Sequence, residues 1–146
     1  FLETLQLNLQ PRAAEKNVKF LLDTPLAAPA GTIVMACNDD MHHVFGNILE
    51  NAIRYSDDNS IVTLAVRKEG NSAIVSVTDN GIGLTESELP LIFDRFWRSD
   101  KARSHSQGGN GLGLSIAKEI ADGNKATIAV ESTPSKTTFT VHWPLN

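Results

Sequence analysis

The sequence contains few of the residues that mark several classes of protein. Its 146 residues include one cysteine, one tyrosine and two tryptophans, and its formal net charge is −4. A single cysteine, Cys37, excludes an internal disulfide and is typical of a reducing compartment. The acidic balance argues against a nucleic-acid-binding surface, and no apolar run approaches the roughly 20 residues of a membrane span. No secretory signal peptide is visible at the N-terminus.

The remaining composition is that of an ordinary soluble globular domain. Hydrophobic residues make up 41% of the chain and charged residues 21%, which is close to the average for such proteins. The length suits one domain with its own hydrophobic core. The chain begins at Phe1 without a start methionine, and we expect it to be a piece of a longer protein.

Hydrophobic periodicity predicts helices and strands in the first part of the chain. The leucines of residues 2–9 fit either a helix or a strand, and a second short helix is predicted over 11–16, with Pro11 at its start. Strands are predicted over 18–22 and 33–37, with a loop over 25–31. A helix that residues 38–40 cap, and that ends at the turn residues 56–60, has the broadest apolar stripe: Met41, Val44, Phe45, Ile48, Leu49, Ala52 and Ile53.

The second part of the chain predicts a sheet built largely from hairpins. Strands are expected over 61–66 and 73–78 with a turn at 68–71, and over 127–131 and 138–142. Residues 85–88 look like a helix start, residues 98–110 predict a mobile loop, and a helix is expected over 115–121. The fold class is therefore α+β: a two-layer α/β sandwich with a mixed, mostly antiparallel sheet of about five strands and three main helices on one face.

The segment GNILENAIRYS, residues 46–56, places polar side chains beside the apolar stripe of its helix. Asn47, Asn51 and Arg54 fall on one side of a helical wheel and Tyr55 at its margin, which predicts the edge of a cleft. An amide oxygen suits Mg²⁺, which takes few protein ligands beside substrate phosphates, and an arginine can pair with a phosphate. Taken alone, however, two helical asparagines favour simple solvent exposure.

Two glycine-rich segments follow. Residues 79–83 read DNGIG, where Asp79 can accept a hydrogen bond from an exocyclic amine such as that of adenine, although alone the segment would be a hairpin turn. Residues 108–114 read GGNGLGL directly before a helix, so bare backbone amides and a helix N-terminus are available to a polyphosphate. Leu112 and Leu114 are expected to anchor this segment in the core. It is neither a Walker loop nor a dinucleotide fingerprint.

In this order the segments resemble the ATP-binding catalytic domain of sensor histidine kinases, a Bergerat-type nucleotide fold. GNILENAIRYS is similar to that family's N box, DNGIGL to its first glycine box, FDRFWR at 93–98 to its phenylalanine box, and GGNGLGLSIAKEI to its second glycine box. The resemblance runs from about residue 15 to the C-terminus. It implies that residues 1–14 lead in from a missing dimerisation and phosphoacceptor domain, and that residues 15–146 form the ATP-binding domain.

The resemblance also implies a role for each matching residue. Asn51 would hold Mg²⁺ with support from Asn47, Arg54 would contact the phosphates, and Arg98 would reach the γ-phosphate, while Glu50 could assist catalysis. Adenine would lie beside Tyr55, and Asp79 would read its amine. The adenine wall, the lid anchors and the phosphate loop would be formed by glycines and apolar residues: Gly81, Gly83, Phe93, Phe96, Gly109, Gly111, Leu112, Gly113 and Leu114.

The sequence departs from the family pattern in two places. Where the family usually has His-Gly-Gly after the last helix, residues 124–126 read Asn-Lys-Ala, and we expect Gly123 or Asn124 to adopt the left-handed cap. The phosphoacceptor histidine block is absent. The histidines that are present have other expected positions: His42 in the core or at its boundary, His43 in solvent, His105 in the lid and His142 in a strand.

The resemblance implies a protein-histidine kinase, an ATP-dependent phosphotransferase that passes the γ-phosphoryl group of Mg-ATP to a histidine on a separate helical hairpin of the parent protein. A response regulator would then receive the phosphoryl group in two-component signalling. The domain would be cytoplasmic, not inserted in the membrane, and part of a membrane-anchored parent.

Two alternatives stay open. The first is an ATP hydrolase of the same fold. The gyrase, mismatch-repair and chaperone relatives, however, have a glutamate that acts as the base for water at the position where this chain has Asn47. The second is a nucleotide-binding module that regulates a partner without chemistry.

Overall fold

A computed structural model describes residues 2–23, 38–98 and 111–145. In chain order its helices and strands are α1 (Leu2–Glu15), β1 (Lys19–Asp23), α2 (Asn38–Tyr55), β2 (Ile61–Glu69), β3 (Ser72–Asp79), a 3₁₀ turn (Leu89–Leu91), α3 (Gly113–Gly123), β4 (Thr127–Thr133) and β5 (Lys136–Pro144). The strand predicted over 33–37, the loop over 25–31, most of the loop over 98–110, and with it His105 and Gly109, lie outside the described residues.

The five strands form one sheet in the order β1-β2-β3-β5-β4. β1 runs parallel to β2, and the remaining neighbours are antiparallel, which confirms the predicted mixed, mostly antiparallel sheet. The β2–β3 turn is shorter than predicted, because Lys68 and Glu69 still pair with β3. Only Gly70 and Asn71 make the turn, and Gly70 has a φ of +57°, which two-residue hairpins require.

The three helices pack on one face of the sheet, where their apolar side chains form a single core with β2, β3 and β5. All seven residues of the predicted α2 stripe are buried, so the 3.6-residue periodicity identified the inner face of this helix correctly. The Phe45 and Trp143 rings, 6.5 Å apart between centroids, join α2 to β5. Within the described residues, no helix has both the length and the hydropathy that crossing a bilayer requires.

The N-terminal segment is one helix, so the prediction of a second helix beginning at Pro11 is wrong. α1 continues through Pro11, although proline removes one helical hydrogen bond. Leu5 before the proline and Ala13 after it are both buried in the core. Their packing against the rest of the domain favours one continuous helix, since tertiary contacts supply most of the stability of a short helix.

The helix predicted to start at Thr85 does not form. Its capping hydrogen bonds are present: the Thr85 N–H donates to Glu88 Oε2 at 2.8 Å and the Glu88 N–H to Thr85 Oγ1 at 3.3 Å. The chain then makes only the short 3₁₀ turn that contains Pro90. Proline lacks the N–H that an α-helix would need there and restricts the residue before it, so the capped turn is not extended.

The left-handed residue after α3 is Lys125, with a φ of +57°, rather than Gly123 or Asn124 as predicted. Asn124 instead donates its side-chain amide to a carbonyl of the last turn and, at 2.8 Å, to Asp40 Oδ2 in α2. The Lys125 and Ala126 N–H groups donate back to the helix, in the pattern of a Schellman motif. The helix exit therefore has a left-handed cap formed by a lysine, a residue that is less suited to this conformation than glycine.

Candidate functional site

A cavity of about 1110 Å³ lies between α2, the end of β3 and the start of α3. Five predicted residues of α2 line it and are half-buried, because they border the buried stripe of that helix rather than oppose it. They are Asn47, Glu50, Asn51, Arg54 and Tyr55. The two glycine-rich segments and the last residue of the phenylalanine box reach the same cavity through Asp79, Gly83, Arg98, Gly111, Leu112, Gly113 and Leu114. The three sequence segments therefore meet at one hollow.

One side-chain amide of α2, that of Asn47, lies beside the N-terminus of α3, and that of Asn51 lines the same cavity. A Cβ atom on Gly113 would stand 3.3 Å from Asn47 Oδ1, so this glycine lets α3 begin directly against α2. Leu112, the N-cap residue, provides no side-chain hydrogen bond, and the helix presents its positive end here. No hydrogen bond to another described residue engages the amide of Asn47 or Asn51.

Asp79 is the buried acid of the site, with 4% of its surface exposed. Its Oδ1 accepts a hydrogen bond of 2.9 Å from the Gly81 N–H. Burial raises the pKa of this carboxyl from 3.8 to about 6; the Gly81 hydrogen bond lowers the pKa, and repulsion from Asp57 raises it further. An acceptor that is buried this deeply discriminates between a ligand that offers an N–H donor and one that does not.

Gly81 allows the loop after β3 to lie against the end of α2. A Cβ atom there would be 2.1 Å from Tyr55 O and 2.7 Å from Asp79 Oδ1, so no larger residue fits without a shift of the backbone. Gly81 is not among the described residues that line the cavity. Its contribution is to position Asp79 and Tyr55 next to each other on the cavity wall.

The phenylalanine-box segment, residues 93–98, reaches the cavity at its end. The Phe96 N–H donates to Gly111 O at 3.0 Å, and a Cβ atom on Gly111, whose φ is +72°, would collide with the Phe96 backbone. Phe93 packs against the core but does not line the cavity, whereas Trp97 does both. Phe96 is 68% exposed; its role as a lid anchor stays a prediction, because most of the loop over 98–110 lies outside the described residues.

The histidines lie where the sequence indicates, as far as the structure describes them. His42 is half-buried, His43 is exposed, and His142 is an exposed residue of β5.

Sequence reasoning missed several residues of the cavity. Arg12, Glu15 and Lys16, at the end of α1, line it together with α2, and no local pattern in α1 points to a site. Thr137 is buried in the cavity wall and is paired with Asp79 in the β3–β5 ladder. Side chains alternate between the two faces of β5, so the sequence predicts that Thr137 points inward. The pairing register that brings Thr137 beside Asp79, however, cannot be read from either strand alone.

The residues present fit a magnesium ion that is held mainly by a substrate. In the described part of the chain, no group of three or more His, Cys, Asp and Glu residues could hold a metal ion. Mg²⁺ usually keeps several waters and binds through one or two protein oxygens plus substrate phosphates. An available amide at Asn51, in a cavity of about 1110 Å³, matches that requirement, whereas a complete protein cage for the metal is not needed.

Comparison with known proteins is consistent with this site. Residues 37–146 match the family described as "Histidine kinase-, DNA gyrase B-, and HSP90-like ATPase". The signal transduction histidine-protein kinase ArlS of Staphylococcus aureus is 37% identical to the chain over 145 residues, in an alignment that covers 95% of this chain and 32% of ArlS. The chain thus spans about a third of the length of the curated relatives it matches.

Solved structures share the fold. The full-length ShkA structure in complex with AMPPNP superimposes with a TM-score of 0.82 at 22% identity and covers 98% of this chain and 29% of ShkA. The histidine kinase ThkA in complex with the response regulator TrrA superimposes with a TM-score of 0.79 at 21% identity, covering 99% of this chain and 39% of ThkA. The predicted Bergerat-type α+β fold is confirmed by these likenesses.

Proposed function

Because the chain belongs to the family of histidine kinase-, DNA gyrase B- and HSP90-like ATPases, we propose that it binds Mg²⁺-ATP and delivers the γ-phosphoryl group to a histidine on a helical dimerisation domain of its parent protein. The observation that carries this proposal is the convergence of three groups on one cavity of about 1110 Å³: the amides of α2, the buried Asp79, and the glycine-rich start of α3. They are the groups needed for a metal, an adenine amine and a triphosphate.

Phosphoryl transfer requires positioning and charge neutralisation more than covalent chemistry from the protein. Asn51 would hold Mg²⁺ with support from Asn47, and Arg54 and Arg98 would neutralise phosphate oxygens at the cavity wall, next to the N-terminus of α3. When bound, Mg²⁺ would supply further charge neutralisation at the β- and γ-phosphates. In the transfer, the bond from the γ-phosphorus to the ADP oxygen breaks, a bond to an acceptor imidazole nitrogen forms, and ADP leaves.

The acidic residue next to Asn51 in α2, Glu50, supports transfer over hydrolysis. A hydrolase of this fold needs a base for water, and Asn47 cannot accept a proton. Glu50 forms an ion pair with Arg12, and its Oε1 is 3.9 Å from Arg54 Nη2, so its carboxylate is engaged by cations rather than free to orient a water. An imidazole nucleophile needs no strong base, and assistance by Glu50 stays a prediction.

Two further proposals concern the parent protein. The relatives of the chain are signal transduction kinases, and ThkA has been solved with a response regulator, so we propose a response regulator as the final phosphoryl acceptor. We also propose a membrane-anchored parent whose anchor lies outside this chain, with the present domain on the cytoplasmic side. Residues 1–14 would lead in from the dimerisation domain.

The decisive experiment incubates the domain with ATP labelled at the γ-position, with and without a separately produced acceptor hairpin from the parent kinase. We expect label on the hairpin histidine, its loss with Asn51→Ala, and its retention with the matched control Asn8→Ala, an exposed residue of α1. Phosphate release without the hairpin would instead identify a hydrolase. Nucleotide binding with neither outcome would identify a regulatory module, and either result would overturn the transfer proposal.

A further inference from the structure

A lysine at the end of α1 holds the end of α2 that carries Arg54 and Tyr55. The last carbonyl groups of a helix have no partner within it. Lys16 Nζ donates to three main-chain oxygens there, those of Ile53 (3.2 Å), Arg54 (2.9 Å) and Ser56 (2.5 Å). The remaining Tyr55 oxygen accepts the Ile82 N–H at 3.4 Å, from the loop after Asp79. A cation at this position also interacts favourably with the helix dipole.

Lys16 is itself held in place by the junction between α1 and β1. α1 ends with the Val18 N–H donating to Ala13 O at 2.8 Å, and Asn17 takes a φ of +51°. The loop after α2 fastens onto this junction, because the Asn59 N–H donates to Lys16 O at 2.9 Å and the Asn17 amide donates to Asn59 Oδ1 at 2.8 Å. A displacement of α1 therefore displaces the ammonium group that caps α2.

A second link joins α1 to the same face of α2. Glu50 Oε1 forms an ion pair with Arg12 of α1 and lies 3.9 Å from Arg54 Nη2. All three side chains line the cavity. If Arg12 moves away, Glu50 is left with Arg54 as its cationic neighbour one helical turn along, and this pairing competes with a phosphate for the Arg54 guanidinium.

We propose that α1 controls the nucleotide site through Lys16 and Arg12, which act as positioning residues for Arg54 and Tyr55, so that undocking α1 lowers the affinity for ATP. This inference rests on the proposed function, since it assigns Arg54 to the phosphates and Tyr55 to the adenine side. It also means that α1 couples the preceding part of the parent protein to the nucleotide site. A force that displaces α1 would change the affinity for ATP although it acts at a distance from the nucleotide.

The first test measures ATP binding by isothermal titration calorimetry for the wild-type domain and for Lys16→Met and Lys16→Arg. The control is Lys19→Met, which changes an exposed residue of β1. Lys16→Met should weaken ATP binding about fivefold to tenfold, the size of a well-placed helix-terminal charge. Lys16→Arg keeps cationic donors and should recover most of the affinity. A purely structural role would lower the melting temperature of Lys16→Met while the folded protein bound ATP as Lys19→Met does, and that result would overturn the proposal.

The second test uses Arg12→Ala, whose wild-type side chain is 60% exposed, against Arg67→Ala, whose side chain is 59% exposed and pairs with Glu69 on β2. Because Arg12 acts through the phosphate-binding arginine, Arg12→Ala should weaken ATP binding about threefold and leave adenosine binding unchanged. Equal effects on ATP and adenosine, or none beyond those of Arg67→Ala, would overturn the role of Arg12. If the wild-type domain binds no ATP, the proposed function itself fails. If the wild-type domain binds ATP but every variant matches its control, this inference alone fails.

Discussion

Replacing Asp79 by asparagine should stabilise the nucleotide-free domain at neutral pH. The pKa of Asp79 is raised from 3.8 to about 6, chiefly by burial, so the folded state binds this proton more tightly than the unfolded state does. The stability that comes from the neutral carboxyl is therefore fully present below pH 3.8 and is lost as the pH rises through about 6. Above that window the folded protein holds a poorly solvated charge.

The size of the effect follows from the two pKa values. One pKa unit is worth about 1.4 kcal/mol, so the gap at Asp79 amounts to about 3 kcal/mol at pH 7.5, taken as an upper limit. Asparagine is nearly isosteric, keeps an oxygen that can accept the Gly81 N–H, and carries no charge. The Asp79→Asn variant should thus gain up to about 3 kcal/mol in its free energy of unfolding at pH 7.5 and little at pH 4.

Urea unfolding at a series of pH values between 4 and 7.5 measures this directly, with Asp58→Asn, an exposed residue, as the control. In the same variant, ATP should bind more weakly and the preference for ATP over GTP should fall, because the amide presents no charged acceptor to the adenine amine. Equal unfolding free energies for the wild-type domain and Asp79→Asn at pH 7.5 would refute the claim that burial of the charged Asp79 destabilises the domain. Equal binding of ATP and GTP by the parent would refute the adenine assignment.

Three further predictions follow from single contacts. Gly81→Ala should destabilise the domain by more than about 2 kcal/mol and abolish ATP binding, because its Cβ would lie 2.1 Å from Tyr55 O. Thermal denaturation and calorimetry measure both effects. The control Gly46→Ala, whose Cβ has room, should show neither. Lys125→Gly should raise the unfolding free energy by about 1 kcal/mol, since it relieves a left-handed residue at φ +57°; a fall in the melting temperature would contradict this. Asn51→Ala should abolish Mg²⁺-dependent ATP binding with an unchanged circular dichroism spectrum, and unaltered affinity in titration would exclude the metal assignment.

Much of the fold could be predicted because it depends on local patterns. The inner face of α2 repeats every three to four residues, and every residue of that stripe is buried. The hairpin strands alternate and are separated by turn residues, so β2, β3, β4 and β5 were all expected close to their observed positions. The predictions were wrong where two signals compete. The capped turn at Thr85 is not extended into a helix because Pro90 follows it, and α1 continues through Pro11 because Ala13 is buried in the core.

The sequence alone determined which residues are candidates for a nucleotide site, because an amide pair on one helix face, an aspartate before glycines and a glycine-rich helix start are each local features. Only the tertiary structure decided that the three share one cavity, that Asp79 is buried deeply enough to change its pKa, and that Lys16 and Thr137 stand beside them. The reason is physical: burial and contact between segments far apart in the chain depend on strand register and helix packing, which the whole chain sets together.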